Sequence, residues 1–153
     1  MEIVDKRISF TTAKLAKEKR FDIACSGSYT EYLVDQVDPD YPEGGGAFTM
    51  TKGEIELASN YFINNDERCD YTCKSYAMYA APTQALLAKW LREVHNIQVY
   101  VNSHTKDGNG KYRDYVAHVN NREINDARDT EFQTYEEAME IGLQAALREI
   151  QTS

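Results

Sequence analysis

The chain has 153 residues, of which 42% are hydrophobic and 27% are charged. This size and composition are typical of a single globular domain, so we predict one domain over residues 1–153. A net charge of −8 opposes general binding to nucleic acid, because a basic surface supplies most non-specific affinity for phosphates. The sequence lacks the apolar run of a membrane helix and the pattern of a signal peptide, so we expect a cytoplasmic location and no membrane partner.

The first predicted helix begins at Ser9, which is placed to cap it, and Ile8 before the cap is a candidate hydrophobic staple. Phe10 and Ala13 then follow at helical spacing. We expect the helix to end near Arg20, where a helix-ending glycine is the ordinary choice.

Residues 25–79 are rich in turns and hold many of the 11 tyrosines of the chain. The stretches GSYTEYLVDQV and TKGEIELASNYFI are each compatible with a short strand or a short helix. We therefore expect an irregular, Tyr-rich N-terminal half with short strands. Because aliphatic side chains are few here, we expect some of the tyrosine rings to be exposed.

The stretch APTQALLAKWLREVHNIQVYV predicts a capped helix over residues 82–95 that leads directly into a strand over residues 97–101. Its expected apolar stripe is Leu86, Leu87, Trp90, Leu91 and Val94, and its expected solvent side is Gln84, Lys89, Arg92 and Glu93. Asn96 tolerates the left-handed conformation that ends many helices, so we expect the helix to stop there.

The stretch KDGNGK carries Asp-Gly and Asn-Gly, which are strong hairpin signals, and predicts a return strand over residues 112–119. Thr134 and Glu137 form a capping box for a last helix over residues 134–150. We expect its core stripe to be Met139, Leu143, Ala146, Leu147 and Ile150, with close packing at Ala138, Gly142 and Ala145. The predicted fold class is α+β, with a small antiparallel sheet, helices packed on it, and a C-terminal half of helix, strand, strand, helix.

Three blocks of sequence, TAKLAKEKRFD, APTQALLAKWLREVHNIQVYV and TYEEAMEIGLQAALREI, resemble in the same order small uncharacterised proteins of Bacteroidota phages and prophages. This resemblance implies that the chain is a phage protein in a bacterial host. It implies no activity. The segment over residues 10–79 departs most from the resemblance.

The order of helix, strands and helix also resembles that of double-stranded RNA binding domains. Those domains place a basic cluster at the start of the last helix, whereas this chain has the acidic stretch DTEFQTYEE there. We therefore expect no nucleic-acid partner.

The candidate metal and catalytic motifs of the sequence are incomplete. Cys69 and Cys73 have a spacing that zinc sites allow, but the histidines lie far apart in the sequence, so we expect no metal and three free thiols, including Cys25. A calcium loop would begin at Thr105 and lacks its strongest carboxylate ligands. Because no catalytic motif is present, we expect a protein that is not an enzyme and has no cofactor.

Two functions remain open. The first is a non-enzymatic binding protein that acts inside the host and counters its defence by sequestering a small signal molecule or a host protein. The second is a virion-associated structural or assembly protein, and in either role we expect a homo-oligomer. For an anionic signal such as a nucleotide, the candidate residues are Tyr71, Tyr76 and Tyr79 for stacking and Arg68, Lys74 and Arg92 for charge.

Overall fold

The computed structural model describes residues 5–32, 55–59, 61–64, 76–103, 108–110, 114–124 and 132–151. In chain order its elements are α1 (Phe10–Glu18), β1 (Ser28–Tyr32), β2 (Ile55–Ala58), β3 (Tyr76–Ala80), α2 (Gln84–His95), β4 (Val99–Ser103), β5 (Tyr115–Val119), β6 (Arg122–Ile124) and α3 (Tyr135–Glu149). The predicted α+β class is confirmed. None of the helices in the described ranges is both long enough and apolar enough to cross a membrane.

The C-terminal sheet has the strand order β4-β5-β6, and both pairings are antiparallel. The predicted antiparallel pair is therefore confirmed, with Val99 opposite Val119 and Val101 opposite Ala117. The structure adds β6, so this half reads helix, three strands, helix. The turn into β6 is Asn120-Asn121, and both residues have positive φ, as a tight hairpin turn requires. β6 lies in the polar stretch NNREINDARDTEFQ, for which the sequence allows a short extra strand within a polar connection.

The N-terminal half contributes a second antiparallel sheet with the order β2-β1-β3. Tyr29 at its centre lies opposite Leu57 on one side and Tyr79 on the other. The predicted short strands are thus present, and they pair with each other over long sequence separations. Cys25 precedes β1 as a buried free thiol, whereas Cys69 and Cys73 lie outside the described residues.

Local signals in the sequence determine where the helices begin and end. The Ser9, Thr83 and Thr134 side chains accept hydrogen bonds from the backbone N–H groups of Thr12, Leu86 and Glu137. Arg20 and Asn96 have φ of 64° and 54°, so both adopt the left-handed conformation. It was expected at Asn96, whereas at Arg20 it occurs in a position where glycine is the ordinary residue. The predicted start of α2 was two residues early, because Thr83 is the cap and Pro82 precedes it.

One hydrophobic cluster joins the helices and both sheets, and α3 lies at its centre with contacts to α1, α2, β4 and β5. Trp90 is 5% exposed, as predicted. Two expectations for α2 were wrong: Val94 is 60% exposed at the C-terminal end of the helix, and Gln84 is 4% exposed. Gln84 is buried because its amide has partners on α3, which sequence periodicity does not reveal.

Gly142 on α3 permits close contact between this helix and the C-terminal sheet. A Cβ atom at this position would lie 2.9 Å from Val99 Cγ1 and 3.1 Å from Ala117 Cβ. We expect Gly142→Val to lower the free energy of unfolding by about 1–3 kcal/mol, because the added methyl groups overpack a buried contact. Urea denaturation measures this, with Ala145→Val as the control at a partly buried position of the same helix. Equal losses in the two variants would show that the contact at Gly142 is not tight.

Candidate functional site

A pocket of about 470 Å³ opens between the segment leading into α1, strand β1 and helix α3. We call it the α1–α3 pocket. Its lining combines apolar and charged side chains from distant parts of the sequence: Lys6, Arg7, Ile8, Ser9, Tyr29, Phe132, Glu136, Glu137, Glu140 and Ile141. This volume lies within the range of small-molecule binding sites.

Both carboxylate oxygens of Glu140 accept hydrogen bonds beside the pocket. Its Oε1 atom accepts hydrogen bonds from the Ser9 backbone N–H at 2.7 Å and from the Thr12 hydroxyl. Its Oε2 atom accepts a hydrogen bond from the Gln84 side-chain amide at 3.0 Å. Because the first turn of α1 has no acidic residue of its own, this carboxylate supplies the negative charge that a helix N-terminus favours. Glu140 therefore holds α1, α2 and α3 together beside the pocket.

Arg7 lines the pocket, and its guanidinium is bound to backbone carbonyl groups. Nη1 donates to the Ala81 carbonyl at 2.9 Å, and Nη2 donates to the Ser26 carbonyl. Gly27 lies directly against this group, since a Cβ there would be 2.3 Å from Arg7 Nη1. Any other residue at position 27 would displace the guanidinium. Arg7 thus fixes the segment before α1 to the ends of β1 and β3.

Tyr29 forms part of the pocket wall and connects it to a neighbouring aromatic cluster. Its hydroxyl donates to the Ile8 carbonyl at 2.8 Å, and its ring meets the Phe10 ring edge-on with centroids 5.7 Å apart. Burial raises the pKa of Tyr29, the charge of Glu140 raises it further, and Arg7 lowers it. The hydroxyl is therefore held in its neutral form as a donor.

Tyr79, one of the predicted stacking residues, lies on the other side of the Phe10 ring, with centroids 5.4 Å apart. Its hydroxyl donates to Glu31 Oε2 at 2.9 Å, and the Lys17 ammonium lies 4.9 Å from its ring centroid. Lys17 also donates to the Met78 carbonyl at 2.6 Å, and burial lowers the pKa of the Lys17 ammonium. These contacts place Tyr79 in a half-buried cluster with Phe10 and Lys17.

The titration of Tyr79 tests this cluster. Burial, the hydrogen bond to Glu31 and the charge of Glu31 raise the pKa of Tyr79 from 10.0 to about 12. The folded state keeps its proton up to about pH 12 and the unfolded chain loses it near pH 10, so this group destabilises the fold as the pH rises across that window. NMR of ring-labelled tyrosine measures the pKa, and Glu31→Gln should bring it closer to the ordinary value. An unchanged pKa in Glu31→Gln would contradict the assigned contact.

The remaining predicted site residues are not brought into this cluster by any described contact. Arg92 is exposed on α2 and has Glu93 as an ion-pair partner at 3.8 Å. The buried side of α2 packs on α3 and β4, whereas Tyr79 packs on α1. Tyr76 begins β3 with its backbone opposite Tyr32. Arg68, Tyr71 and Lys74 lie outside the described residues, so their roles stay predictions. Tyr61 is 76% exposed, which confirms that some tyrosine rings face solvent.

A second, smaller cavity of about 250 Å³ lies where the C-terminal ends of the three helices meet. Trp90 and His95 line it, and their rings meet edge-on with centroids 4.5 Å apart. Lys19 closes one side by donating to the Ile150 carbonyl at 2.7 Å. This cavity therefore borders the core around Trp90. Within the described ranges, no group of three or more His, Cys, Asp or Glu side chains is arranged to hold a metal ion.

Sequence reasoning missed Arg7, Gln84 and Glu140 as contributors to a site. One signal was available, because Glu140 is a charged residue beside Met139 and one turn before Leu143 and Gln144, at the edge of the apolar stripe of α3. Such a position favours a carboxylate with a buried partner. The partner itself, at the start of α1, is 131 residues away in sequence.

The chain matches no protein-family model, no curated protein and no solved structure.

Proposed function

We propose that this protein is a non-enzymatic binding protein of a phage or prophage, and that the α1–α3 pocket is its ligand site. It acts in the host cytoplasm and counters host defence by sequestering a small molecule or a host protein. The observation that carries the proposal is a pocket of about 470 Å³ in which hydrogen bonds hold Arg7, Tyr29 and Glu140 in place. The phage setting rests on the three blocks of sequence that resemble phage proteins.

The contacts of the pocket support binding over catalysis. Both oxygens of Glu140 accept hydrogen bonds, the Tyr29 hydroxyl donates to a carbonyl, and Arg7 is bound to two carbonyls. Groups fixed in this way shape a cavity and orient a ligand. An acid–base catalyst instead needs a group that is positioned to exchange a proton with the substrate.

A direct test isolates the protein under native conditions from infected host cells and compares its native and denatured masses. We expect a mass excess in the native protein, because a sequestered ligand remains in the pocket. Ile141→Trp fills the pocket and should lose the excess, whereas Val94→Trp places the same ring at an exposed position outside it and should keep the excess. A folded Ile141→Trp variant that retains the full excess would refute the assignment of the site.

The alternative is a virion-associated structural or assembly protein. It is favoured by strand β2, which lies at the edge of its sheet. Two apolar residues of this strand, Ile55 and Leu57, are 45% and 49% exposed. Exposed apolar residues on an edge strand favour pairing with another subunit. Mass spectrometry of purified particles distinguishes the two functions, since a structural protein is present in them and an intracellular binding protein is not.

Self-association is expected under either function. A symmetric oligomer would cover the apolar residues of β2, and small binding proteins often use such assemblies. Light scattering at micromolar concentration should therefore give a mass of at least twice the chain mass of 17.5 kDa. A mass equal to that of one chain would contradict this prediction.

A further inference from the structure

The α1–α3 pocket has apolar walls and a cluster of carboxylates. Phe132 and Ile141 supply apolar surface, and Tyr29 adds the side of an aromatic ring. Glu136, Glu137 and Glu140 all come from the first half of α3. The first two also suit the positive end of the helix dipole, which alone would explain them on any helix. Here, however, they border a cavity that has room for a ligand.

The positive charges of the same pocket are poorly placed for an anionic ligand. Arg7 donates to the carbonyls of Ala81 and Ser26, and the backbone of Gly27 lies against its guanidinium. These hydrogen bonds already use part of the donor capacity of Arg7 to hold the segment before α1. Lys6 is exposed and provides one further positive charge against three carboxylates.

The two nearby charges have opposite effects on Tyr29, and the negative one is the stronger. At the Tyr29 hydroxyl, the charge of Glu140 raises the pKa and outweighs the opposite effect of Arg7. A positive group placed beside Tyr29 would therefore be stabilised by Glu140, and an aromatic ring also attracts a cation placed over its face.

We propose that the ligand of the α1–α3 pocket is an amine with an apolar body, whose ammonium group lies against Glu136 and Glu137 while its body contacts Tyr29, Phe132 and Ile141. This inference rests on the proposed function, because it assigns a ligand class to the same pocket. An amine differs from the anionic signal that the sequence analysis favours. An anionic ligand would need the positive charges of Arg68 and Lys74, which lie outside the described residues.

Three probes that share one apolar body test the charge preference: phenylbutylamine, phenylbutanol and phenylbutyrate. Calorimetric titration of the full chain should show that the amine binds about tenfold more tightly than the alcohol, because only the amine gains the carboxylate and ring contacts. The carboxylate should bind most weakly. In the double variant Glu136→Gln, Glu137→Gln, the affinity for the amine should fall most of the way toward that for the alcohol, and the affinity for the alcohol should not change.

The matched control is Glu18→Gln, Glu93→Gln, which removes the same net charge at exposed positions on α1 and α2. It should leave the preference for the amine intact. If the alcohol or the carboxylate binds as tightly as the amine and Ile141→Trp abolishes that binding, the pocket stands as a ligand site and the amine inference is wrong. If none of the probes binds, the amine inference is also wrong, and the native mass measurement decides the proposed function separately.

Discussion

Trp90→Ala is expected to lower the free energy of unfolding by about 3–5 kcal/mol, a large part of the stability of a domain of this size. The indole is 5% exposed and meets the Phe21 ring edge-on with centroids 5.3 Å apart. It belongs to the cluster that joins the three helices. Truncation would leave a cavity beside Phe21, and the rigid helix ends around it would close that cavity only in part.

Urea denaturation followed by circular dichroism measures this loss without depending on the removed fluorophore. Val94→Ala is the control, because this residue lies on the same helix and is 60% exposed. It should change stability by no more than about 0.5 kcal/mol. A loss of that small size in Trp90→Ala would contradict the central position of Trp90 in the core.

Glu140→Ala is expected to destabilise the protein by about 3 kcal/mol, more than any other carboxylate that lines the α1–α3 pocket. The change leaves the Ser9 N–H, the Thr12 hydroxyl and the Gln84 amide without this acceptor. Thr12 is fully buried and Gln84 is 4% exposed, so water reaches their side chains poorly. The loss of the negative charge at the N-terminus of α1 adds to the effect.

The control for Glu140→Ala is Glu137→Ala, which removes an exposed carboxylate one turn earlier on the same helix. Its expected loss is about 0.5 kcal/mol, which corresponds to its interaction with the helix dipole. Thermal and urea denaturation of both variants measure the difference. If Glu140→Ala were no more destabilising than Glu137→Ala, Glu140 would be an ordinary surface residue and the pocket would lack its structural support.

The parts of the fold that depend on neighbouring residues could be predicted from the sequence. Ser9 and Thr134 were identified as caps, the end of α1 was expected near Arg20, and Asn96 was expected at a left-handed helix end. The close packing expected at Gly142 also agrees with the short distances to Val99 and Ala117. Each of these features follows from backbone sterics or helical periodicity within a few residues.

Features that depend on distant residues could not be predicted in this way. Gln84 was expected to face solvent because it is polar, and it is buried because Glu140 and the Glu136 carbonyl accept from it. The α1–α3 pocket combines residues before α1 with β1 and α3, and no sequence motif marks that combination. Tyr79 was expected to stack on a ligand, which stays a prediction, and its partners Phe10, Glu31 and Lys17 come from elements that only the fold brings together.

The most direct test of the binding site is an NMR titration of the labelled protein with phenylbutylamine. The proposed site predicts that the largest chemical-shift changes occur at Tyr29, Phe132 and Ile141, and that these changes disappear in Ile141→Trp. The largest changes at Trp90 and His95 instead, or at Tyr79 and Arg92 with Phe132 and Ile141 unaffected, would contradict the assignment of the α1–α3 pocket as the ligand site.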